Sequence, residues 1–442
     1  MIRKPTFLLF PCPGMNHCSL NSPHLIGRTE SKLLLRCGYR FIYSALVNLA
    51  WASRRRRLKA MLEARTSPRF TSDGSLHVKL DSDTLTHINP LRKSPVSRGP
   101  SANLDLLRSI AVLLVLTQHL CRRLNVDQVG WMPTTWGVFG VLLFFVHTCL
   151  VLMYSMQRSE LTGWPLVANF VTRRIFRIYP LSVIAVLTAL ALHLDSDVNG
   201  IRGLSYGLLP GKVGIASNLL LIQNLTYTKS IVNVLWSLPF ELQMYAFLPF
   251  VFMWIRGKRM FWPLLGLWAA SAIAGLLQPH LRGLGRLSIL VFVPHFLPGV
   301  IAFSLPYVPR FKSFLWPVFI LALVAVFTVR SDVWVGWVLC LLLGIMIPSF
   351  AEIKTRWLRL ASNRIATYSY GIYLAHQFCI WIALGLLASH PLWLRIAVLI
   401  VLLVGLPVLL YHTIEKPMIE LGIRIAARFS EPRALPGAAA AL

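Results

Sequence analysis

The stretch NLDLLRSIAVLLVLTQHLCRRL, from Asn103 to Leu124, is long and apolar enough for a bilayer-crossing helix, which takes about 20 residues. It nevertheless carries Arg108 near one end and His119 near the other. His119 follows Arg108 by eleven positions, so the two lie on nearly the same helix face, about 16 Å apart along the axis. Ionisable side chains inside a bilayer cost free energy and usually have a function. The alternative is structural: Arg108 extends to the lipid interface and His119 caps the last turn.

The composition is that of a membrane protein. Of the 442 residues, 56% are hydrophobic and 14% are charged, and the mean hydropathy is +0.63, whereas soluble domains carry about 25% charged residues. The net charge of +28 comes from basic residues between apolar runs, as the positive-inside rule predicts. We therefore expect no nucleic acid partner. Seven cysteines without a CxxC pair indicate neither a disulfide framework nor a zinc site, so no metal is expected.

Ten apolar runs follow one another from Leu104 onward, each near the length of about 17–25 residues that a spanning helix needs. They lie at 104–121, 137–156, 178–194, 235–255, 261–277, 288–306, 313–329, 333–350, 367–389 and 393–411. A further run at 215–225 is short and polar. If it spanned, the basic loops after it would change sides, so the positive-inside rule favours a re-entrant or interfacial helix there. The sequence thus predicts an all-α polytopic membrane protein of about ten transmembrane helices plus one short helix, with both termini cytoplasmic.

The chain divides into three regions by composition. Residues 1–100 are expected to form a poorly ordered basic extension, or to result from a misassigned start, because Ser67 to Ser101 is polar and rich in Ser, Thr, Asp and Pro. Residues 101–425 form the predicted transmembrane domain, and residues 426–442 a cytoplasmic tail.

A second ionisable group lies inside a predicted span. The run LWSLPFELQMYAFLPF, from Leu235 to Phe250, carries Glu241 and, one helical turn later, Tyr245. Counted from the start of the run, Glu241 lies about 9 Å into the membrane from the outer side. A histidine and a carboxylate at similar depth suit acid–base chemistry, in which the carboxylate orients the imidazole or stabilises its positive charge. The alternative is a hydrogen bond between His119 and Glu241 that only joins two helices.

Three arginines precede the third predicted span. Arg173, Arg174 and Arg177 lie in VTRRIFRIYPL, from Val171 to Leu181, at the expected cytoplasmic surface. Guanidinium groups bind phosphates in a bidentate manner. The positive-inside rule accounts equally for any one of these arginines as a membrane anchor.

A polar stripe occurs in the ninth predicted span. In ATYSYGIYLAHQ, from Ala366 to Gln377, the side chains of Tyr370, Tyr373 and His376 follow one another at three-residue spacing. Such a stripe lines a cavity or joins helices, and the sequence does not distinguish the two. Glu415, in the sequence IEKP after the last span, is interpreted as part of an interfacial helix stop.

These residues carry a resemblance. The chain from about 103 to 425 resembles the integral-membrane acyltransferase 3 family, whose members open with a helix similar to LDLLRSIAVLLVLTQH and share five motifs in this order. The motifs correspond here to Arg108 and His119 in the first span, Arg174 and Arg177 before the third, Trp236 to Glu241 (WSLxxE), Ser369 to His376 (SYxxYLxH) and Ile414 to Pro417 (IExP). The chain departs from the family pattern at Leu106, where a glycine is usual, and in the second span, where His147 and Thr148 follow FFV.

The resemblance implies an acyltransferase that transfers groups other than amino-acyl groups, using acyl-CoA, with acetyl-CoA the expected co-substrate, and no bound cofactor. The acceptor would be a hydroxyl of a carbohydrate or lipid-linked molecule outside the cytoplasm, and the setting the lipid of a bacterial inner membrane.

Roles for individual residues follow from the same resemblance. The expected catalytic residues are His119, as general base, and Glu241. The donor would be held by Arg108, Arg174 and Arg177, and the cavity would be lined by Tyr245, Tyr370, Tyr373 and His376. The alternative class is a transporter or flippase, in which buried charges shelter a polar head group and no acyl group is transferred.

Overall fold

The computed structural model describes residues 101–126, 135–197, 200–204, 210–258, 260–280 and 288–429. The predictions for residues 1–100 and for the end of the tail lie outside these residues. The described elements, in chain order, are α1 (Ala102–Arg123), α2 (Trp136–Ser159), α3 (Gly163–Ala191), β1 (Leu194–Asp197), β2 (Gly200–Leu204), α4 (Lys212–Leu219), α5 (Gln223–Thr226), a 3₁₀ turn (Asn233–Ser237), α6 (Leu238–Ile255), α7 (Phe261–Leu277), α8 (Ile289–Ser304), α9 (Leu315–Val329), α10 (Val333–Met346), α11 (Arg356–Trp381), α12 (Leu392–Leu410) and α13 (Lys416–Ala427).

The described part of the chain is that of an integral membrane protein. Six helices are long and apolar enough to cross a bilayer: α1, α2, α3, α6 with its preceding 3₁₀ turn, α11 with the π-helical turn after it, and α12 continuing into α13. Four shorter apolar helices, α7 to α10, lie where four further spans were expected. The count of ten spans stays a prediction.

The third long helix begins earlier than expected. The sequence placed the span at 178–194 with the arginines before it, whereas α3 begins at Gly163 and includes Arg173, Arg174 and Arg177. An arginine run need not end an apolar helix, because guanidinium groups that face other helices avoid the lipid.

The polar run at 215–225 forms two helices, α4 and α5, of eight and four residues. Its polar side chains hold a compact loop together. The amide of Asn218 donates to Lys229 O at 3.0 Å and its side-chain oxygen accepts from Ile231 N at 2.9 Å, while the amide of Gln223 donates to Leu235 O at 2.9 Å. Helices this short do not cross a bilayer, and whether the loop enters the membrane stays a prediction.

A small β-hairpin was not predicted. Strands β1 and β2 pair antiparallel, with Leu194 opposite Leu204 and Asp197 opposite Gly200. The described fold is therefore mainly α-helical with one β-hairpin, and not all-α as predicted. The sequence contains an Asn-Gly dipeptide that ends at Gly200, which is a general turn signal.

The start of α1 is fixed by hydrogen bonds. Ser101 is the N-cap and accepts from Leu104 N at 3.3 Å, and its hydroxyl donates to the Glu352 carboxylate at 2.7 Å. The side-chain amide of Asn103 donates to Ala351 O at 3.1 Å. Capping satisfies the free N–H groups of a helix terminus, so these contacts set the register of the helix that carries Arg108 and His119.

Helices α1 and α11 pack side by side and run in the same direction. The Asn363 amide donates to the Asp105 carboxylate at 3.1 Å near their starts, and the rings of His119 and His376 lie 5.0 Å apart near their other ends. A parallel pair requires an odd number of membrane crossings between its members. This number is odd if α2, α3 and α6 to α10 each cross and α4 does not, in agreement with the predicted topology.

Close helix contact in the core depends on glycine. Gly299 of α8 lies against α2, and a Cβ atom built on it would overlap Val146 O and lie 2.8 Å from Cys149 Cβ. We expect Gly299→Ala to destabilise the fold by roughly 1–3 kcal/mol through overpacking, measured as a lower melting temperature in detergent. Gly266→Ala on α7 is the control, because a Cβ there meets no atom within 4 Å. Equal melting temperatures for the two variants would contradict the tight α2–α8 contact.

Candidate active site

Helices α1, α2, α3, α6 and α11 enclose a polar cavity of about 90 Å³, which is room for several water molecules. We call it the arginine cavity. Its polar lining consists of Arg108, His147, Thr148, Arg174, Arg177, Ser237, Glu241, Tyr245, Ser369, Tyr370 and Tyr373. Residues from five helices therefore meet at one polar point within an apolar bundle.

Positive charge predominates in the cavity. Arg108, Arg174 and Arg177 face two carboxylates, those of Glu241 on the cavity wall and Glu415 beside Arg177. The Nε atoms of Arg108 and Arg174 are buried without a hydrogen-bond partner in the described structure. Guanidinium groups only donate hydrogen bonds, so the cavity offers free donors and one positive charge in excess. An anionic or oxygen-rich group suits it.

Glu241 belongs to the arginine cavity. The hydroxyl of Tyr245, one turn further along α6, donates to Glu241 Oε2 at 2.7 Å. The carboxylate also lies in the first turn of α6, where the helix dipole stabilises negative charge. The sequence analysis paired Glu241 with His119, but the structure places it among the arginines. Depth counted along one helix does not determine which side chains of other helices face Glu241, and here these include the arginines of α1 and α3.

Tyr370 and Tyr373 line the cavity and also join helices. The Tyr370 hydroxyl donates to Ile178 O on α3 at 2.6 Å, and the Tyr373 hydroxyl donates to Val234 O at 2.7 Å. Ser237 Oγ lies 2.7 Å from the same Tyr373 oxygen. The sequence left open whether this stripe lines a cavity or joins helices, and in the structure these two tyrosines do both.

His119 and His376 form a separate pair outside the cavity lining. His119 Nδ1 lies 2.9 Å from Val115 O and His376 Nδ1 lies 3.0 Å from Ile372 O. A carbonyl oxygen only accepts, so in both rings Nδ1 carries the hydrogen and a neutral ring keeps Nε2 as an acceptor. The sequence analysis expected His376 to line a cavity, but His376 is not among the residues that line the arginine cavity. His119 lies toward the other end of α1, about 16 Å from Arg108 by helical rise.

The sequence analysis missed the role of Glu415. Its side chain is fully buried and lies 3.4 Å from Arg177 Nη2, whereas the sequence suggested an interfacial helix stop. Glu415 is the last residue of a π-helical turn, Tyr411–Glu415. Such turns redirect side chains and occur often at functional sites. His147 was noted only as a departure from the family pattern, yet it is buried on α2 and faces the arginines.

No cluster of three His, Cys, Asp or Glu side chains suits a metal ion in the part of the chain that the structure describes. Among the same residues Cys149, Cys340 and Cys379 are free thiols. The arrangement that remains is an arginine-rich cavity at one level of α1 and a neutral histidine pair at another.

The chain matches the model of a known protein family. The family model of an acyltransferase domain, that of the acyltransferase 3 family, matches residues 101–412, which is more than half of the chain. No curated protein and no solved structure matches it. The matched range contains α1 with Arg108 and His119 and every residue of the arginine cavity. The chain therefore belongs to the acyltransferase 3 family and is a membrane acyltransferase.

Proposed function

We propose that the protein is an O-acyltransferase that moves an acyl group, expected to be acetyl, from acyl-CoA to a hydroxyl of a carbohydrate or lipid-linked acceptor outside the cytoplasm. One observation carries the proposal: a single helix, α1, presents Arg108 to an arginine-rich cavity and His119 to the ring of His376 outside that cavity. Family membership favours acyl transfer over the alternative of a transporter or flippase. In this proposal the membrane is a bacterial inner membrane and both termini are cytoplasmic.

The arginine cavity suits the donor. Coenzyme A carries phosphates, and guanidinium groups bind phosphate oxygens through charge-assisted hydrogen bonds. The excess positive charge attracts a phosphate, and the free Nε–H groups of Arg108 and Arg174 can donate directed hydrogen bonds to its oxygens.

The separation of Arg108 from His119 suits the shape of the donor. In coenzyme A an extended pantetheine arm joins the phosphates to the sulfur that carries the acyl group. A donor held by its phosphates at the arginines would therefore present its thioester at a distance from them, toward His119.

His119 is proposed as the general base. Its Nε2 takes the proton of the acceptor hydroxyl while the hydroxyl oxygen attacks the thioester carbon. The carbon–sulfur bond then breaks, the imidazolium returns the proton to the sulfur, and free coenzyme A and an ester are formed. Glu241, hydrogen-bonded to Tyr245 among the arginines, is proposed to act on the donor side by balancing the charge of the arginines.

The arginine assignment is tested with two neighbouring residues. We expect Arg174→Ala to raise the KM for acetyl-CoA about tenfold or more, the usual effect of losing a charge-assisted hydrogen bond. Arg173→Ala is the matched control, because Arg173 lies on the same helix but does not line the arginine cavity. The measurement is release of coenzyme A by purified protein in nanodiscs over a range of acetyl-CoA concentrations. An equal effect of both variants would leave these arginines as membrane anchors only.

A further inference from the structure

Two adjacent side chains of α11 are buried with unused hydrogen-bonding atoms. His376 and Gln377 are 1% and 2% exposed. In the described structure His376 Nε2 and both amide atoms of Gln377 have no hydrogen-bond partner. More than about 90% of buried polar groups in proteins have such a partner. Three unused atoms at consecutive residues therefore indicate a place that a polar ligand fills.

The ring of His376, which precedes Gln377 on α11, lies beside the proposed base. The His119 ring is 5.0 Å from that of His376, and both rings keep Nε2 as an acceptor because Nδ1 is bonded to the helix backbone. Gly200 of the β-hairpin covers Gln377 from the other side: its φ of +104° favours glycine, and a Cβ there would lie 3.9 Å from the Gln377 amide. We call His119, His376 and Gln377 the outer polar cluster.

The chemistry of the cluster selects the ligand. Two neutral imidazole nitrogens require hydrogen-bond donors, and a carboxamide offers two donors and one acceptor. A hydroxyl group both donates and accepts, so a molecule with neighbouring hydroxyls satisfies all of these atoms. None of its three side chains is a cation or a carboxylate, although the charge of Arg122, three residues further along α1, acts on His119. This separates it from the arginine cavity, which suits the anionic part of the donor.

We propose that His376 and Gln377 bind the acceptor beside His119, an inference that rests on the proposed function. One acceptor hydroxyl faces His119 and is acylated. A neighbouring hydroxyl donates to His376 Nε2, and the Gln377 amide donates to an oxygen of the same molecule. His376 and Gln377 thus determine the position and the affinity of the acceptor, while the arginine cavity binds the donor independently.

The test separates acceptor binding from donor binding and from folding. Protein in nanodiscs receives radiolabelled acetyl-CoA and increasing amounts of an envelope extract from the source cells as the acceptor probe. For Gln377→Met and His376→Leu we expect the half-saturating amount of extract to rise about tenfold, the effect of one lost buried hydrogen bond. The KM for acetyl-CoA should stay within about twofold of the wild-type value, because neither residue lines the arginine cavity.

Two further variants serve as controls. Compared with His376→Leu, His376→Gln should recover most of the affinity for the acyl acceptor. The side-chain oxygen of the glutamine can accept the hydrogen bond that Nε2 accepts in the wild type. His295→Leu should change neither constant. His295 is as deeply buried, at 2% exposure, and its ring nitrogens also have no hydrogen-bond partner in the described structure, but it lies on α8 against the rings of Phe292 and Trp337. Melting temperatures add a second readout: Gln377→Met should not lower stability, because no hydrogen bond of the fold is lost.

Each other outcome contradicts a specific step. Active wild type with unchanged half-saturation in Gln377→Met and His376→Leu would overturn the acceptor site and leave the proposed function standing. A lower melting temperature without a change in half-saturation would make the two residues purely structural. Wild type that neither binds acetyl-CoA nor labels the extract would overturn the proposed function, and this inference with it.

Discussion

Replacing His119 by alanine is expected to lower kcat by about 10²–10⁴-fold, the usual contribution of general base catalysis. The KM for acetyl-CoA should change little, because the donor is proposed to bind at Arg108, Arg174 and Arg177, a separate level of the bundle. His119→Gln should be equally inactive, since a glutamine fills similar space and accepts hydrogen bonds but does not take a proton at neutral pH. The measurement is the rate of ester formation at saturating acetyl-CoA.

The matched control for this prediction is His295→Gln. Both histidines are buried, at 8% and 2% exposure, so both replacements put an amide in a buried site. Only His119→Gln should stop acyl transfer. Both variants should purify as single species and should bind acetyl-CoA. Retention of more than about a tenth of the wild-type kcat by His119→Gln would be too small a loss for a general base. The acid–base role would then be wrong, although the membership in the acyltransferase 3 family would stand.

The sequence predicted the features that depend on one helix at a time. Arg108 and His119 share a face of α1 because eleven residues make nearly three whole turns. The apolar runs at 104–121, 137–156 and 235–255 and the α7 to α10 helices lie where hydropathy placed them, whereas α3 begins 15 residues before its predicted span. Hydropathy is a local property, so an apolar run predicts its helix without knowledge of the partners.

Features that depend on two or more helices could not be predicted in the same way. The neighbours of Glu241 depend on where the 3₁₀ turn ends and on which helix packs opposite, and neither is encoded in the spacing within WSLPFE. Glu415 was similarly ambiguous, because a carboxylate after the last span suits an interface as well as a buried ion pair. The contact of His119 with His376 joins residues far apart in the chain. Such contacts arise from tertiary packing, and one sequence does not determine them.

Replacing Arg177 by methionine is expected to destabilise the protein by roughly 3–5 kcal/mol, the cost of leaving a buried charge without its partner. Glu415 is the residue left unpaired, since its side chain is fully buried and forms an ion pair with Arg177 at 3.4 Å. The double variant Arg177→Met/Glu415→Gln should recover most of this stability, because a neutral amide replaces the buried charge. The measurement is the melting temperature in detergent, with the interaction energy taken from the double-mutant cycle.

Activity measurements distinguish the role of Arg177 in the ion pair with Glu415 from its proposed role in donor binding. The double variant should melt near the wild-type temperature but keep a raised KM for acetyl-CoA, because the pairing is restored without restoring the arginine that binds the donor. A surface pair provides the control: Lys416 and Glu420 lie 4.0 Å apart with both side chains 54% exposed, so Lys416→Met should cost less than about 1 kcal/mol. If Arg177→Met is no more destabilising than Lys416→Met, Glu415 is not held by this arginine. If the double variant regains the wild-type KM as well, Arg177 serves only to neutralise Glu415, and donor binding falls to Arg108 and Arg174 alone.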